Sequence, residues 1–259
     1  MSADTSTPSS GTPAKPSLPW AKLIGIAVVV VGIVGGARVA FQSSEPMEAP
    51  VDAAPVLPPI SEVKPKAEAG DAQAQNTLGE ILAEGKQTKR DFKEAIVWYR
   101  KSADQGNARA QYHLGSLYEI GQGVPRDEAE AAKWYRKAAE AGMSDAQYNL
   151  AGMYGLGRGV PYNPKEALAW YQKAAAQGDA LARYNLAERY ERGRDVDTDV
   201  VEAFKWHTLA AERGLRDGEV GAANLKKHMT SEQISDAKKR IEVYKNLINS
   251  AAAAKPGAK

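Results

Sequence analysis

WYRKAAEAG, residues 134–142, sets two large aromatics against two bases and follows them with small residues and a glycine. Taken alone, the string suits two opposite jobs. It is either a binding surface, with rings for stacking and Arg136 and Lys137 for phosphate, or one face of a buried helix. The string returns as WYRKSADQG at 98–106, WYQKAAAQG at 170–178 and WHTLAAERG at 206–214, spaced 36 residues apart each time. A fixed period of this length marks stacked helical repeats and points to the buried reading.

Counting on from Gly70, Gly106, Gly142 and Gly178, further columns align. Four residues on stand Ala74, Ala110, Ala146 and Ala182; eight on stand Leu78, Leu114, Leu150 and Leu186; twelve on stand Leu82, Tyr118, Tyr154 and Tyr190. Apolar Ile81, Leu117 and Met153 flank the first three. Spacing by four with side members by three is one face of an α-helix. Gly85, Gly121, Gly157 and Gly193 then end that helix, glycine being the residue that turns left-handed without penalty.

A second helix starts six residues later. Asp91, Asp127, Asn163 and Asp199 stand as N-caps, with Glu94, Glu130, Glu166 and Glu202 three residues beyond, which predicts a capping box. Its apolar positions, Ala131, Trp134, Tyr135, Ala138 and Ala139 in the second copy, follow the spacing of a core-facing helix. Arg136 and Lys137 fall off that face and read as solubilising charges. A single helix pair cannot bury both faces, so successive pairs stack over one continuous core. After Gly214 the W-Y motif and the turn glycine disappear. Thr230 and Gln233 can cap a final helix with Ile234, Ala237, Ile241, Tyr244 and Ile248 on its apolar face, as the end of an array requires.

The N-terminal part is different material. Residues 1–19 are rich in Ser, Thr and Pro and read as disordered. Leu23–Ala37 is an uncharged apolar run, and the 22 residues 20–41 would make roughly 33 Å of helix, enough for a hydrocarbon core of about 30 Å. Trp20 and Phe41 are placed as interfacial rings and Lys22 and Arg38 as snorkelling bases. Three readings compete for this segment: a buried soluble helix, a signal peptide cleaved near Gly35-Gly36-Ala37, and a retained single-span anchor. The anchor fits best, since four glycines and Val28–Val31 make a poor helix in water. Lys15 and Lys22 before the span, against Glu45, Glu48 and Asp52 after Arg38, place the N-terminus in the cytoplasm and the bulk of the chain across the inner membrane. Cleavage would instead release a secreted protein. Gly32 and Gly36 form a G-x-x-x-G pair that offers weak homodimer packing. Residues 42–66, with six prolines, read as a semi-extended linker.

Composition excludes several functions. The formal net charge is +2, and the first 66 residues balance five bases with five acids, leaving no basic stripe for nucleic acid. The absence of cysteine rules out disulfides, thiol catalysis and thiolate metal sites.

The unit read most fully from Ala108 to Gly142, A-x-A-Q-Y-x-L-G-x-x-Y-x-x-G-x-G-V-x-x-D-x-x-E-A-x-x-W-Y-x-K-A-A-x-x-G, resembles the Sel-one-like repeat, a relative of the tetratricopeptide repeat. The resemblance covers residues 69–214 as four units. The first copy departs at Gln87, Thr88 and Lys89, the fourth at Asp195, Asp197 and His207. It implies an all-α, right-handed α-solenoid acting as an adaptor or scaffold, with bacterial relatives often serving envelope assemblies. Some cysteine-rich relatives have been described as penicillin-binding or β-lactamase-like, which this cysteine-free chain does not support.

The expected organisation is a disordered start at 1–19, a transmembrane helix at 20–41 and a linker at 42–66. Four helical repeats follow at 67–214, then capping helices at 215–250 and a fraying tail at 251–259.

Chemistry is hard to find. His113, His207 and His228 lie in different units without a second histidine one turn away, so no metal site is expected, and His207 reads as a packed member of the tyrosine column. GLGRG at 155–159 follows a helix rather than a strand, and GEILAEGKQ at 79–87 misses the phosphate-loop spacing. No catalytic residue and no cofactor is expected. Related solenoids line their concave groove with the first helix. The polar positions there, Thr77, His113, Asn149 and Asn185 with Glu80, Ser116, Gly152 and Glu188, are the candidate partner-binding residues, suited to an extended peptide or a helix. The leading expectation is a membrane-anchored adaptor binding another protein of a bacterial-type cell envelope. The alternative is an envelope enzyme or glycan-binding module acting on cell-wall or exopolysaccharide material.

Overall fold

Which backbone groups are left unpaired at each helix end determines how the units are joined. The computed structural model describes residues 57–253, which form eleven α-helices and no strand. The first helices of the four units are α2 (Ala72–Glu84), α4 (Ala108–Ile120), α6 (Ser144–Leu156) and α8 (Ala180–Arg192). The second helices are α3 (Phe92–Asp104), α5 (Glu128–Glu140), α7 (Pro164–Ala176) and α9 (Val200–Ala211). Flanking them are α1 (Ile60–Glu68), α10 (Arg216–Lys226) and α11 (Ser231–Ala253). None of these helices is long and apolar enough to cross a membrane. The expected span at 20–41, with Gly32 and Gly36, lies outside the described residues.

The expected columns are buried, except that Tyr118 and Tyr190 of the column twelve residues on are half-buried. Ala110, Ala146 and Ala182, with Leu114, Leu150 and Leu186, are fully enclosed, as are Tyr135, Ala138 and Ala139 of the W-Y motif. One cluster runs unbroken from Ala131 through Leu150, Trp170 and Leu186 to Leu209 and Ile241, so neighbouring units share their core. The all-α solenoid expected from the period is what the chain forms.

The capping box is only half made. Asp91, Asp127, Asn163 and Asp199 each accept from the amide three residues on, as expected. Their own amides, which the glutamates were expected to satisfy, donate instead to Leu82, Tyr118, Tyr154 and Tyr190 carbonyls at 2.9–3.0 Å. That bond ties the start of each second helix to the end of its first, and it frees the glutamate. Glu94 accepts from the Trp98 indole at 3.4 Å, and Glu130 pairs with Lys133 at 3.0 Å.

The bases of WYRK also depart from expectation. Lys137 Nζ lies 4.0 Å from the centre of the Trp134 ring, and Lys101 and Lys173 repeat the contact at 4.0 and 3.7 Å over Trp98 and Trp170. The Arg136 guanidinium reaches forward to the Tyr154 hydroxyl and ring of the next unit. They lie off the buried face but seal the rims of its rings as cation–π partners, rather than only carrying charge.

A polar column holds the units in register. Gln75, Gln111 and Gln147 are buried, and each donates to the last-turn carbonyl of the preceding second helix: Ala67, Ala103 and Ala139, at 3.0–3.1 Å. Arg183 takes the same role on Ala175 at 3.1 Å and reaches forward to Leu209 at 2.8 Å. Each clamp adds a second donor to a helix-end carbonyl that already accepts from the glycine amide three residues on, at 3.0–3.1 Å, and so ties that helix end to the next unit.

The presence of Ala67 in that series explains α1. Residues 60–66, assigned to the linker on composition, are helical because Val63 and Ala67 bury against α2 and Gln87 holds Leu57, Pro58 and Ile60. Thus α1 stands where a preceding unit's second helix would, closing the N-terminal end. At the other end Thr230 and Gln233 make the reciprocal cap, at 2.9 and 3.2 Å, and α11 lays Ala237 and Ile241 onto the array. Tyr244 meets Trp206 edge-on at 4.9 Å.

Candidate interaction face

Contacts between first helices of successive units show that these helices lie side by side. His113 Nε2 of α4 sits 3.1 Å from Glu80 Oε1 of α2, and Asn185 Nδ2 of α8 donates to the Tyr148 hydroxyl of α6 at 3.3 Å. The expected polar positions therefore do share one face.

The structure sorts them. Thr77 is 9% exposed, and its hydroxyl donates back to the Gln73 carbonyl at 3.0 Å, so it offers nothing to a partner. Glu80 is engaged by His113, by Asn76 at 2.9 Å and by Arg109 at 4.0 Å. Burial works to raise its carboxyl, but the hydrogen bond from His113 and the other donors hold it below the ordinary carboxylate range. The His113 ring stacks on Tyr99 at 4.8 Å and is fixed in place. Ser116, Asn149 and Asn185 are half-buried, and Asn185 Nδ2 also donates to the Leu181 carbonyl at 3.0 Å. Gly152 leaves its position open, with the Tyr171 hydroxyl 3.6 Å from where a Cβ would stand. Glu188 pairs with Arg192 at 2.7 Å.

A row of tyrosines in this face was not anticipated. Tyr112, Tyr148 and Tyr184, one residue before the polar row, are half-buried and lean on the second-helix rings Tyr135, Tyr171 and His207 at 5.4–5.7 Å. Burial pushes the Tyr112 and Tyr184 hydroxyls up to about 12, so they stay protonated donors near neutral pH. Their recurrence every 36 residues was visible; their place between core and face was not.

Two ionic networks flank the face. In unit two Glu119 accepts from the Tyr135 hydroxyl at 2.8 Å and from Arg158 at 3.0 Å, and Arg158 also binds Glu128 at 3.0 Å. In unit four Arg189 fills the column otherwise held by Ile81, Leu117 and Met153. It pairs with Asp195 at 2.6 Å, and Tyr162 donates to that same carboxylate. Asp195 itself adopts a left-handed φ of 64°. Beside this network Glu188, Glu191 and His207 bring ligand atoms within 4.8 Å of one another. A search for local histidine spacing passes over such a cluster because its members come from two helices.

The Sel1 repeat family model matches residues 72–107, 108–143, 144–179 and 180–215, four stretches in succession. Two solved structures share the fold. A Sel1 repeat protein from Oxalobacter formigenes is 33% identical, with a TM-score of 0.61 over 64% of this chain and 68% of that one. A protective antigen of uropathogenic Escherichia coli strains, displaying an SLR fold, is 40% identical, with a TM-score of 0.60 over 61% of this chain. The chain spans 34% of that antigen's length. No curated protein matches the chain.

Proposed function

The chain belongs to the Sel1 repeat family, and we propose that it is a membrane-anchored adaptor whose first-helix face binds another protein of the cell envelope. Proteins of this family are generally scaffolds for protein interaction. The observation that carries the reading is a row of hydrogen-bonding side chains set on repeated scaffolding. His113, Asn149 and Asn185 stand at one position of three successive first helices, each beside a tyrosine, while the columns behind them repeat. Asparagine amides donate and accept, matching the peptide backbone of an extended segment, and the tyrosines supply rigid amphipathic area at low entropic cost.

Residues 20–41 serve as the anchor in this reading, with the N-terminus cytoplasmic and the repeats outside the cytoplasm, held off the membrane by the Pro-rich stretch that follows. Apolar length and flanking charge support this arrangement.

Photo-crosslinking residues placed in cells at His113, Asn149 and Asn185 test the adaptor, with Lys133 and Lys165 on the exposed side of α5 and α7 as controls. A protein adduct specific to the first three positions is the expected result. Adducts of equal yield from the controls, or recovery of glycan alone, would overturn it. Reporter fusions at residue 60 that are active only in the cytoplasm would reverse the topology.

A further inference from the structure

Each unit presents the same three positions around the groove-side end of its rings: the ninth and twelfth residues of the first helix and the ring after tryptophan. Unit one has Glu80, Ala83 and Tyr99; unit two has Ser116, Glu119 and Tyr135; unit three has Gly152, Gly155 and Tyr171. Unit four has Glu188, Glu191 and His207. In unit four alone do all three carry a group that ligates divalent metals.

Unit two shows how the arrangement closes without a metal. A phenol brings its own proton, so Tyr135 donates to Glu119 at 2.8 Å and both groups are satisfied. In unit four the phenol is replaced by an imidazole. His207 Nε2 lies 3.1 Å from Glu191 Oε2, and Glu188, one turn earlier on α8, brings a second carboxylate within 4.8 Å of both. The His207 ring is 1% exposed, and its Nδ1 has no hydrogen-bond partner. It is also held in one orientation. Gly221 of α10 leaves no gap, since a Cβ there would fall 2.4–2.7 Å from the ring, and Tyr184 lies edge-on at 5.4 Å. The Glu191 side chain is 39% exposed, which gives an ion a way in from solvent.

We propose that Glu188, Glu191 and His207 form a binding site for a divalent transition metal of the zinc class. One imidazole nitrogen with two carboxylate oxygens is a donor set that zinc accepts. With zinc–ligand bonds of about 2.0–2.2 Å, tetrahedral neighbours stand roughly 3.3 Å apart. The His207–Glu191 pair is already spaced that way. Glu188 completes the set by a side-chain rotation that releases Arg192. The ion joins α8 to α9 at the last unit and keeps a coordination position open to water. Nδ1 finds no acceptor to brace the ring from behind, so binding is weaker than in sites with that support. The site does not depend on the adaptor reading.

The test is zinc titration of the chelator-stripped full-length chain, followed by calorimetry and thermal unfolding, with H207Y and E191Q beside it. H207Y restores the ring of the other units. E191Q alters a side chain outside the core and carries the test if H207Y does not fold. The expected result is one zinc per chain and a rise in unfolding temperature. Affinity should fall by more than about 100-fold in either variant, beyond the effect of losing an outer partner of a ligand. No zinc-dependent rise in the wild type would overturn the proposal. So would a rise that persists in both variants, which would place the ion elsewhere.

Discussion

Unit two and unit four follow one plan and complete it in opposite ways. In unit two the ring of Tyr135, its hydroxyl, Glu119 and Arg158 form a closed set in which each polar group has a partner. In unit four the corresponding ring is His207, the neighbouring acid is Glu191, and one ring nitrogen is left without a partner. The comparison separates two demands on the same position. Stacking requires the volume of a ring, whereas the polar end of that ring is free to be spent on something other than stacking.

The largest effect should come from removing the volume. Tyr135 is 1% exposed at the centre of the array, and Tyr135→Ala should cost about 3–5 kcal/mol, the range for truncating a buried aromatic. Tyr135→Phe keeps the volume and loses the hydroxyl's bonds, that to the Glu119 carboxylate above all, which should cost about 1.5–3 kcal/mol, the range for a bond to a charged group. Urea unfolding of both variants measures the gap. Equal costs would mean that the polar end, not the ring, holds unit two together.

The helix caps sharpen the same contrast. Asp127 of unit two accepts from the Glu130 amide alone, and Asp127→Ala should cost about 1 kcal/mol. Asp199 of unit four accepts from the Val201 and Glu202 amides and also from Arg240 of α11 at 3.0 Å. Asp199→Ala should therefore cost more, although the added ion pair is worth less than about 1 kcal/mol because Arg240 is 37% exposed. A smaller loss at Asp199 than at Asp127 would show that α11 does not brace unit four.

Acid adds a signature to that pair. Partial burial works to raise the Asp199 carboxyl, but the Glu202 amide and Arg240 outweigh it and hold it below the ordinary range. A depressed carboxyl stabilises the fold above its unfolded value, about 3.9, and loses that contribution as pH falls through its folded value. Asp199→Asn keeps a cap, as Asn163 does, without the charge. It should be less stable than wild type at neutral pH, and the difference should close below about pH 4. Urea midpoints across that range would read it. A difference unchanged down to pH 2 would rule out the charge as its source.

Legibility in the sequence followed how local each cause was. The helices, their caps and their buried columns depend on residues three, four or 36 apart, so the text alone exposed them. Gln75, Gln111 and Gln147 were equally periodic but were not read as core, because a glutamine is buried only when a carbonyl waits for it and that carbonyl belongs to the preceding helix. The helix α1 was hidden by its prolines, since what makes it helical is Ala67 docking on α2 rather than its own propensity. The candidate face was half legible. Its rows fall on the first helices, but Thr77 turned inward, the tyrosine row was missed, and the cluster at His207 required α8 and α9 to be placed together.

The smallest expected effect on stability bears most directly on function. Asn149 lies half-buried on the first-helix face of α6, with the Tyr112 hydroxyl beside it. It lies outside the buried apolar and glutamine columns, and its tie to the neighbouring unit is a half-exposed bond with the Tyr112 hydroxyl. Asn149→Ala should shift stability by no more than about 0.5 kcal/mol, the usual range for positions away from caps and core. If this face binds a partner segment through its amides, the same change should sharply reduce crosslinking from His113 and Asn185 on either side. Unfolding unchanged with crosslinking lost would separate face from scaffold within one helix. Crosslinking unchanged would move the binding surface off the polar row and onto the tyrosines, where Tyr148→Phe and Tyr148→Ala distinguish hydroxyl from ring.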